Sequence, residues 1–214
     1  MSASPPDLET SRWYADKVRR YGYDHRGLGF RTRSAQEKRF EALVALGDFH
    51  GARVLDVGCG FGDFLAFLQA RGVRPRYTGI DLCAPMIERC RERFAPGVGH
   101  FEVADVLAWQ PRGGYDYVVA SGIFGLDAPG ARERIEPTLR RLLEWSRIGA
   151  AANFLSARSP AKVEGRVYVD PSEMLRAAME LTPAVQLDHG YLPNDFTLHL
   201  YRTPAWARTE GTPE

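Results

Sequence analysis

Gly58, Gly60 and Gly62 follow directly on a short apolar run, Val54, Leu55 and Val57, within the stretch VLDVGCGFGDF. Bulky aliphatic residues without polar alternation suit a strand buried on both faces. Closely spaced glycines let the backbone come up against a ligand where a Cβ would collide. Asp63 then opens a helical run from Phe64 to Arg71 that Gly72 stops, so the loop feeds the positive end of a helix. That arrangement suits a nucleotide-type cofactor. Two further acids fall into step with it. Arg76 to Asp81 (RYTGID) reads as a second strand whose terminal acid lies 23 residues past Gly58, where a carboxylate faces a ribose diol. A third strand, His100 to Asp105 (HFEVAD), also ends on an acid. A nicotinamide dehydrogenase shares the first spacing, but its loop reads GxGxxG; here Asp63 stands at the third glycine's position, and GxGxG describes the loop better.

With Asp81 and Asp105 in step, the stretch from Val54 to Phe64 resembles the first motif of the class I methyltransferases, which use S-adenosylmethionine. The resemblance spans about residues 34 to 202. It implies an α/β, Rossmann-like fold: a seven-stranded, mostly parallel sheet with an antiparallel last strand and helices on both faces. Carried over residue by residue, it implies that Gly58 and Gly60 line the methionine portion and that Asp81 holds the ribose hydroxyls. Asp105 with the backbone at Val106 then holds adenine, and Asp56 orients the loop and the methionine ammonium. Cys59, Leu82 and Ser121 complete the expected cofactor set; Cys59 suits its loop by small size rather than by nucleophilicity.

The elements that must position these residues alternate helix and strand, which argues for a parallel sheet covered on both sides. Ser34 with Glu37 reads as a capping box opening a helix that turns Phe40, Leu43 and Val44 inward and stops at Gly47. A helix from about Pro85 to Phe94 follows the second strand, and Tyr115 to Phe124 is the fourth strand with its exit. Residues 131 to 147 read as helical, with Ile135, Leu139, Leu142 and Leu143 on one stripe and Pro137 as start or kink. Ile148 to Leu155 is the fifth strand. Asp170, Pro171 and Glu173 cap a helix ending near Leu181. Val185 to Leu192 and Phe196 to Tyr201 form a terminal hairpin turning at Pro193 and Asn194, and this pair resembles the antiparallel finish of the methyltransferase sheet. Residues 34 to 202 are expected as the methyltransferase domain, residues 1 to 33 as an N-terminal segment folding over the opening as a lid, and 203 to 214 as a tail. Residues 1 to 10 are expected to be loose.

Composition narrows the partners. The chain has 214 residues, 44% hydrophobic, enough for one sizeable core. Its 28 Lys plus Arg against 27 Asp plus Glu give no general drive toward nucleic acid or an anionic membrane, although residues 12 to 40 hold nine basic residues against three acidic ones. There is no apolar run of membrane length and no signal-peptide core at the start, so the expected location is cytoplasmic. Cys59, Cys83 and Cys90 lack zinc-type spacing and fit reduced thiols. No metal site is expected, since Asp127 and Asn153 are too sparse for a catechol-type magnesium site. DNA-methylating signatures are missing as well: the fourth strand exits as SGIF. The expectation is metal-independent, in-line transfer of a methyl group to a small molecule. Protein methylation, a nicotinamide-dependent dehydrogenase and a non-catalytic S-adenosylmethionine-binding sensor or partner subunit are the alternatives.

Acceptor chemistry in an open sheet sits beyond the carboxyl ends of the strands. Ser121 to Phe124, Leu155, Ser156, Tyr191, Asn194 and Asp195 are delivered there, with Tyr14, Tyr21, Tyr23, His25, Arg31 and Arg33 added by the N-terminal segment. Arg31 and Arg33 could steer an anionic acceptor group. His25, Tyr191 and Asp195 are the candidates for direct chemistry, although Asp195 with Asn194 also fits an ordinary turn. His189 and His199, inside predicted strands, read as structural. A sulfonium donor needs no general base for a good nucleophile, so the want of an obvious catalytic dyad decides nothing.

Overall fold

The first strand, β1 (Arg53–Val57), shows how the sheet is buried from both sides. Val54 belongs to one buried cluster with Leu43, Phe64, Leu65 and Leu68, while Leu55 and Val57 belong to another with Leu139 and Leu142. A computed structural model describes residues 5 to 204, with side-chain detail from residue 9 onward. After β1 come α3 (Asp63–Ala70), β2 (Arg76–Asp81), α4 (Ala84–Arg93), β3 (Gly99–Val103), β4 (Tyr115–Ala120), α5 (Ile135–Trp145), β5 (Ser146–Leu155), α6 (Pro171–Met179), β6 (Val185–Asp188) and β7 (Asp195–Tyr201); α1 (Pro5–Tyr21) and α2 (Arg33–Val44) precede it. The strands form one seven-stranded sheet in the order β3-β2-β1-β4-β5-β7-β6. β1 pairs in parallel with β2 and β4, β2 with β3, and β4 with β5; β7 runs antiparallel to both β5 and β6. The expected Rossmann-like α/β sheet with an antiparallel last strand is the one observed. The strand order reverses at β1 and β4, and the loops leaving their carboxyl ends must part there to make a crevice.

Expected and observed boundaries differ where side-chain chemistry competes with pattern. β3 ends at Val103, so Asp105 lies in the loop beyond it. The cap of α2 is Thr32, whose hydroxyl accepts the Ala35 amide at 3.1 Å, and Ser34 lies inside the helix. Pro137 is the third residue of α5, inside the first turn, where its missing N–H has no intrahelical partner to lose. Residues 5 to 10, expected to be loose, belong to α1. Pro5 supplies its first position with φ already set. The helix ends at Gly22, which takes φ +60° and donates its amide to the Val18 carbonyl at 2.8 Å. α1 packs on the sheet's rim through Val18 against Phe61, Cys83 and Met86. It therefore lies over the carboxyl ends of β1 and β2. Among the described residues no helix is long and apolar enough to cross a membrane.

Candidate functional site

The loop after β1 is shaped by what cannot be there. Gly58 takes φ +73°, and a Cβ on it would stand 2.1 Å from Ile123 Cγ2; at Gly60, φ is +55° and a Cβ would meet Leu28 Cδ2 at 2.6 Å. Only glycine satisfies the backbone and the space together. Gly58 and Cys59 donate their amides to the Ile80 carbonyl at 2.8 and 3.1 Å, which ties the loop to β2. Asp81 completes the tie: its carboxylate accepts the Gly60 amide at 2.9 Å and the Cys83 amide at 2.8 Å. Burial pushes the Asp81 carboxyl above the ordinary carboxylate range, and these two amide bonds oppose the push. Asp56, 3% exposed at the end of β1, accepts a hydrogen bond from the Tyr77 hydroxyl. Its own pKa is raised to about 7 by burial, with Tyr77 pulling it down and the negative charges of Asp81 and Asp63 adding to the rise.

These residues wall a cleft at the switch between β1 and β4. Asp56, Gly58, Cys59, Gly60, Asp81, Leu82, Val106 and Ser121 all line it. Asp105 does not: its carboxylate turns to the Leu107 amide at 3.0 Å and the Arg134 guanidinium at 2.6 Å, leaving Ala104 and Val106 to form that stretch of wall. From above, Ser11, Tyr14, Leu28 and Phe30 close over the cleft, and the Ser11 hydroxyl donates to the Leu82 carbonyl at 3.2 Å. Three carboxylates, Asp56, Asp63 and Asp81, face one guanidinium, Arg134. Asp63 is held by Gln36 at 3.0 Å and by Arg93 at 2.5 Å. It occupies the first position of α3, where a dinucleotide's pyrophosphate would have to dock. The cleft therefore suits a cation and repels a diphosphate. Ser11, Gln36 and Arg134 are lining residues that pattern reading missed. Only Arg134 carried a signal, its place at the entry to a helical stripe.

A second chamber of about 270 Å³ adjoins the cleft, with Tyr14, Leu28, Phe30 and Gly122 shared between them. Leu155, Asn194, Asp195 and Arg31 line it, joined by Asn153, Arg39, Tyr168 and Arg166; Arg33 is exposed and does not line it. Burial raises the Tyr14 phenol to about 12, opposed by the Arg166 charge.

The three candidates for direct chemistry lie outside the cleft. His25 lines neither cavity, and its Nδ1 stands 3.4 Å from the Asp24 carboxylate. Asp195 is 1% exposed and locked to Arg39, whose Nε donates at 2.7 Å and whose second nitrogen grips the other oxygen. Burial pushes its carboxyl up and Arg39 pulls it down. Tyr191 ends a hydrogen-bonded row: Ser121 donates to Asn153 at 2.8 Å, Asn153 to Thr197 at 2.7 Å, and Thr197 to the Tyr191 oxygen at 2.9 Å. Burial moves the Tyr191 phenol well above its ordinary value. His189 meets the fully buried Ser156 hydroxyl at 2.8 Å, and His199 meets the Ala42 carbonyl at 2.8 Å. Among the described residues, no three His, Cys, Asp or Glu side chains are grouped to hold a metal ion.

Known proteins resemble this chain in sequence and in fold. A family model described as a methyltransferase domain matches residues 54–145. A Mycobacterium tuberculosis protein named as a methyltransferase is 34% identical over 151 residues, which cover 67% of this chain and 89% of that protein. A trans-aconitate 2-methyltransferase of Rhodopseudomonas palustris is 38% identical over 94 residues, 44% of this chain and 34% of its own length. Among solved structures, the magnesium protoporphyrin IX methyltransferase of Synechocystis with bound SAH superposes with a TM-score of 0.68 at 15% identity, covering 92% of this chain and 100% of that one. At that identity the likeness speaks to the fold.

Proposed function

The chain belongs to the class I S-adenosylmethionine-dependent methyltransferases, and on that footing we propose that it methylates a small molecule by metal-independent, in-line displacement. When bound, the cofactor supplies an electrophilic methyl group: the acceptor's lone pair forms the new bond to carbon while the pair of the broken carbon–sulfur bond returns to sulfur. The residues present fit such a group. Three carboxylates suit a ligand carrying a sulfonium and an ammonium, and the glycines at 58 and 60 leave backbone where side chains would fill the cleft. Asp81 is held by two amides that leave further lone pairs of its carboxylate for a diol. Asp56 is fixed at the base of the loop by the hydrogen bond from the Tyr77 hydroxyl. Ser11, Tyr14, Leu28 and Phe30 shield the cleft from above. Water exclusion and alignment then carry much of the acceleration, and the segment over residues 12 to 33 acts as the lid.

The observation that supports a small acceptor is the second chamber, lined in part by that segment and meeting the cleft at Tyr14 and Gly122. Its volume of about 270 Å³ suits a metabolite-sized molecule rather than a folded macromolecule. Trans-aconitate, the compound in the name of several relatives, is the first acceptor to assay. Purified protein is incubated with methyl-labelled cofactor and, in separate reactions, trans-aconitate and fractionated cell extract. Label in small molecules is the expected outcome, and label confined to protein would replace this reading with protein methylation.

A further inference from the structure

The walls of the second chamber carry three arginines, Arg31, Arg39 and Arg166, and a single acid, Asp195. Arg39 and Asp195 neutralise each other in a buried pair. Two positive charges are left over. Among the described residues no carboxylate comes within ion-pair distance of Arg31 or Arg166. Arg31 is exposed, whereas Arg166 is half-buried beside the apolar residues Leu28, Phe30, Phe154 and Leu155, so the Arg166 charge is the less screened of the two.

Arg166 is also held in place. Its guanidinium lies over the Trp13 ring, 5.2 Å from the centroid, and donates to the Gly29 carbonyl at 3.3 Å. Its backbone bridges to Leu126, and its neighbour Val167 is 1% exposed. Two contacts to the N-terminal segment thus aim a half-buried cation into the chamber while most of its donors remain unused. A fixed, half-buried guanidinium with no carboxylate partner on the wall of a partly open chamber offers its free donors to an anionic ligand.

We propose that Arg166 is the anchor for an anionic oxygen group of the methyl acceptor, a carboxylate or a phosphate, with Arg31 adding attraction from the same wall. The inference rests on the small-molecule methyl-transfer reading and names the acceptor's chemical class. Arg166 lines the second chamber but not the cofactor cleft, so the anchored group sits away from the junction at Gly122. The acceptor therefore carries a second, nucleophilic group that reaches the junction, and its product keeps the anchored anion.

The test is calorimetry on the full chain saturated with S-adenosylhomocysteine, titrated in parallel with citrate and with inorganic phosphate at low and at high salt. The parent complex is expected to bind one of the two anions in a salt-sensitive manner, and the tighter of them identifies the oxygen group. Arg166→Gln should weaken that binding tenfold or more, Arg31→Ala by a few fold, and Arg33→Ala not at all. Arg166→Lys, which keeps the charge but not the fork, should fall between parent and Arg166→Gln. Affinity for S-adenosylhomocysteine serves as the folding control and should stay within about twofold throughout. Anion binding that is absent in the parent, or unchanged in Arg166→Gln with cofactor affinity intact, overturns the anchor and leaves methyl transfer standing. A parent protein that binds no S-adenosylhomocysteine would defeat the methyl-transfer reading instead.

Discussion

The two halves of the crevice are held together by different means. On the side of β1, β2 and β3, the acids at or just past the strand ends each take a backbone amide two residues on, Asp81 that of Cys83 and Asp105 that of Leu107, and Asp81 also takes the Gly60 amide of the neighbouring loop. On the side of β4, β5 and β7, arginine side chains reach partners far away in the chain. Arg39 reaches Asp195, 156 residues away, and Arg166 reaches Gly29, 137 residues away. A site built from strand-end loops keeps its ligand as long as the sheet stands. A site built from distant side chains is re-aimed by one substitution. That contrast suits an enzyme with a fixed donor and a chain-specific acceptor.

The contrast is broken most forcefully at the Arg39 and Asp195 pair. Their side chains are 8% and 2% exposed, so Arg39→Met strands a carboxylate in a region it cannot leave. Removing one partner of a buried pair costs about 3 to 5 kcal/mol, and denaturant unfolding should show a loss of that size. Arg39→Met combined with Asp195→Leu should recover most of it. If Arg39→Met unfolds like the parent, the pair is not what holds the acceptor side together.

Asp56 offers the corresponding test on the cofactor side, through pH. Its folded value of about 7 lies above the 3.8 of an ordinary aspartate. The folded chain therefore keeps a proton that the unfolded chain releases, and this position loses stability as pH rises from about 4 to about 7. At ~1.4 kcal/mol for each pH unit separating the two values, the whole effect is at most about 4 kcal/mol. Asp56→Asn mimics the protonated form, so its stability relative to the parent should climb through that window and level off above it. A difference that stays flat from pH 4 to 8 would mean that Asp56 ionises freely in the fold.

Asp81→Ala tests the ribose assignment at a smaller scale. Losing the equivalent of one charge-assisted bond, about 1.5 to 3 kcal/mol, should weaken S-adenosylhomocysteine about ten- to a hundredfold in calorimetry and leave citrate or phosphate affinity of the saturated complex little changed. Equal losses in both would erase the division between the halves.

The same division explains what the sequence disclosed. β2 runs from Arg76 to Asp81 both in the pattern and in the fold, and β1 differs by the single residue Arg53. Apolar runs ending in glycine or an acid carry their own boundaries, because strand burial and turn chemistry are local. Asp105 fell outside β3 because its carboxylate serves the turn at Leu107 and the charge of Arg134, which arrives from 29 residues away. The first residues of α1 were hidden by polar and proline-rich composition, although Pro5 is suited to a first turn. Arg166 was illegible for a different reason. It lies in the long connection between β5 and α6, without period or turn signature, and matters only because Trp13 and Gly29 come to meet it.

Tyr191 gives the finest test, because it sits on the acceptor side yet reaches toward the cofactor side through Thr197, Asn153 and Ser121. Were it the base that takes a proton from the acceptor, its phenol would need a depressed pKa and access to the junction. Burial instead raises that phenol, its oxygen accepts from Thr197, and it lines neither cavity. Its work is then to hold Thr197, and through it the Asn153 amide that fixes Ser121. Tyr191→Phe removes one hydrogen bond in the row, at a cost of about 0.5 to 1.5 kcal/mol in stability. Methyl transfer should retain most of the parent kcat, with the shift in KM small and both limbs of the pH profile unmoved. A displaced alkaline limb together with a large fall in kcat would put the Tyr191 oxygen at the reacting atoms, and the two sides of the crevice would then share one proton path.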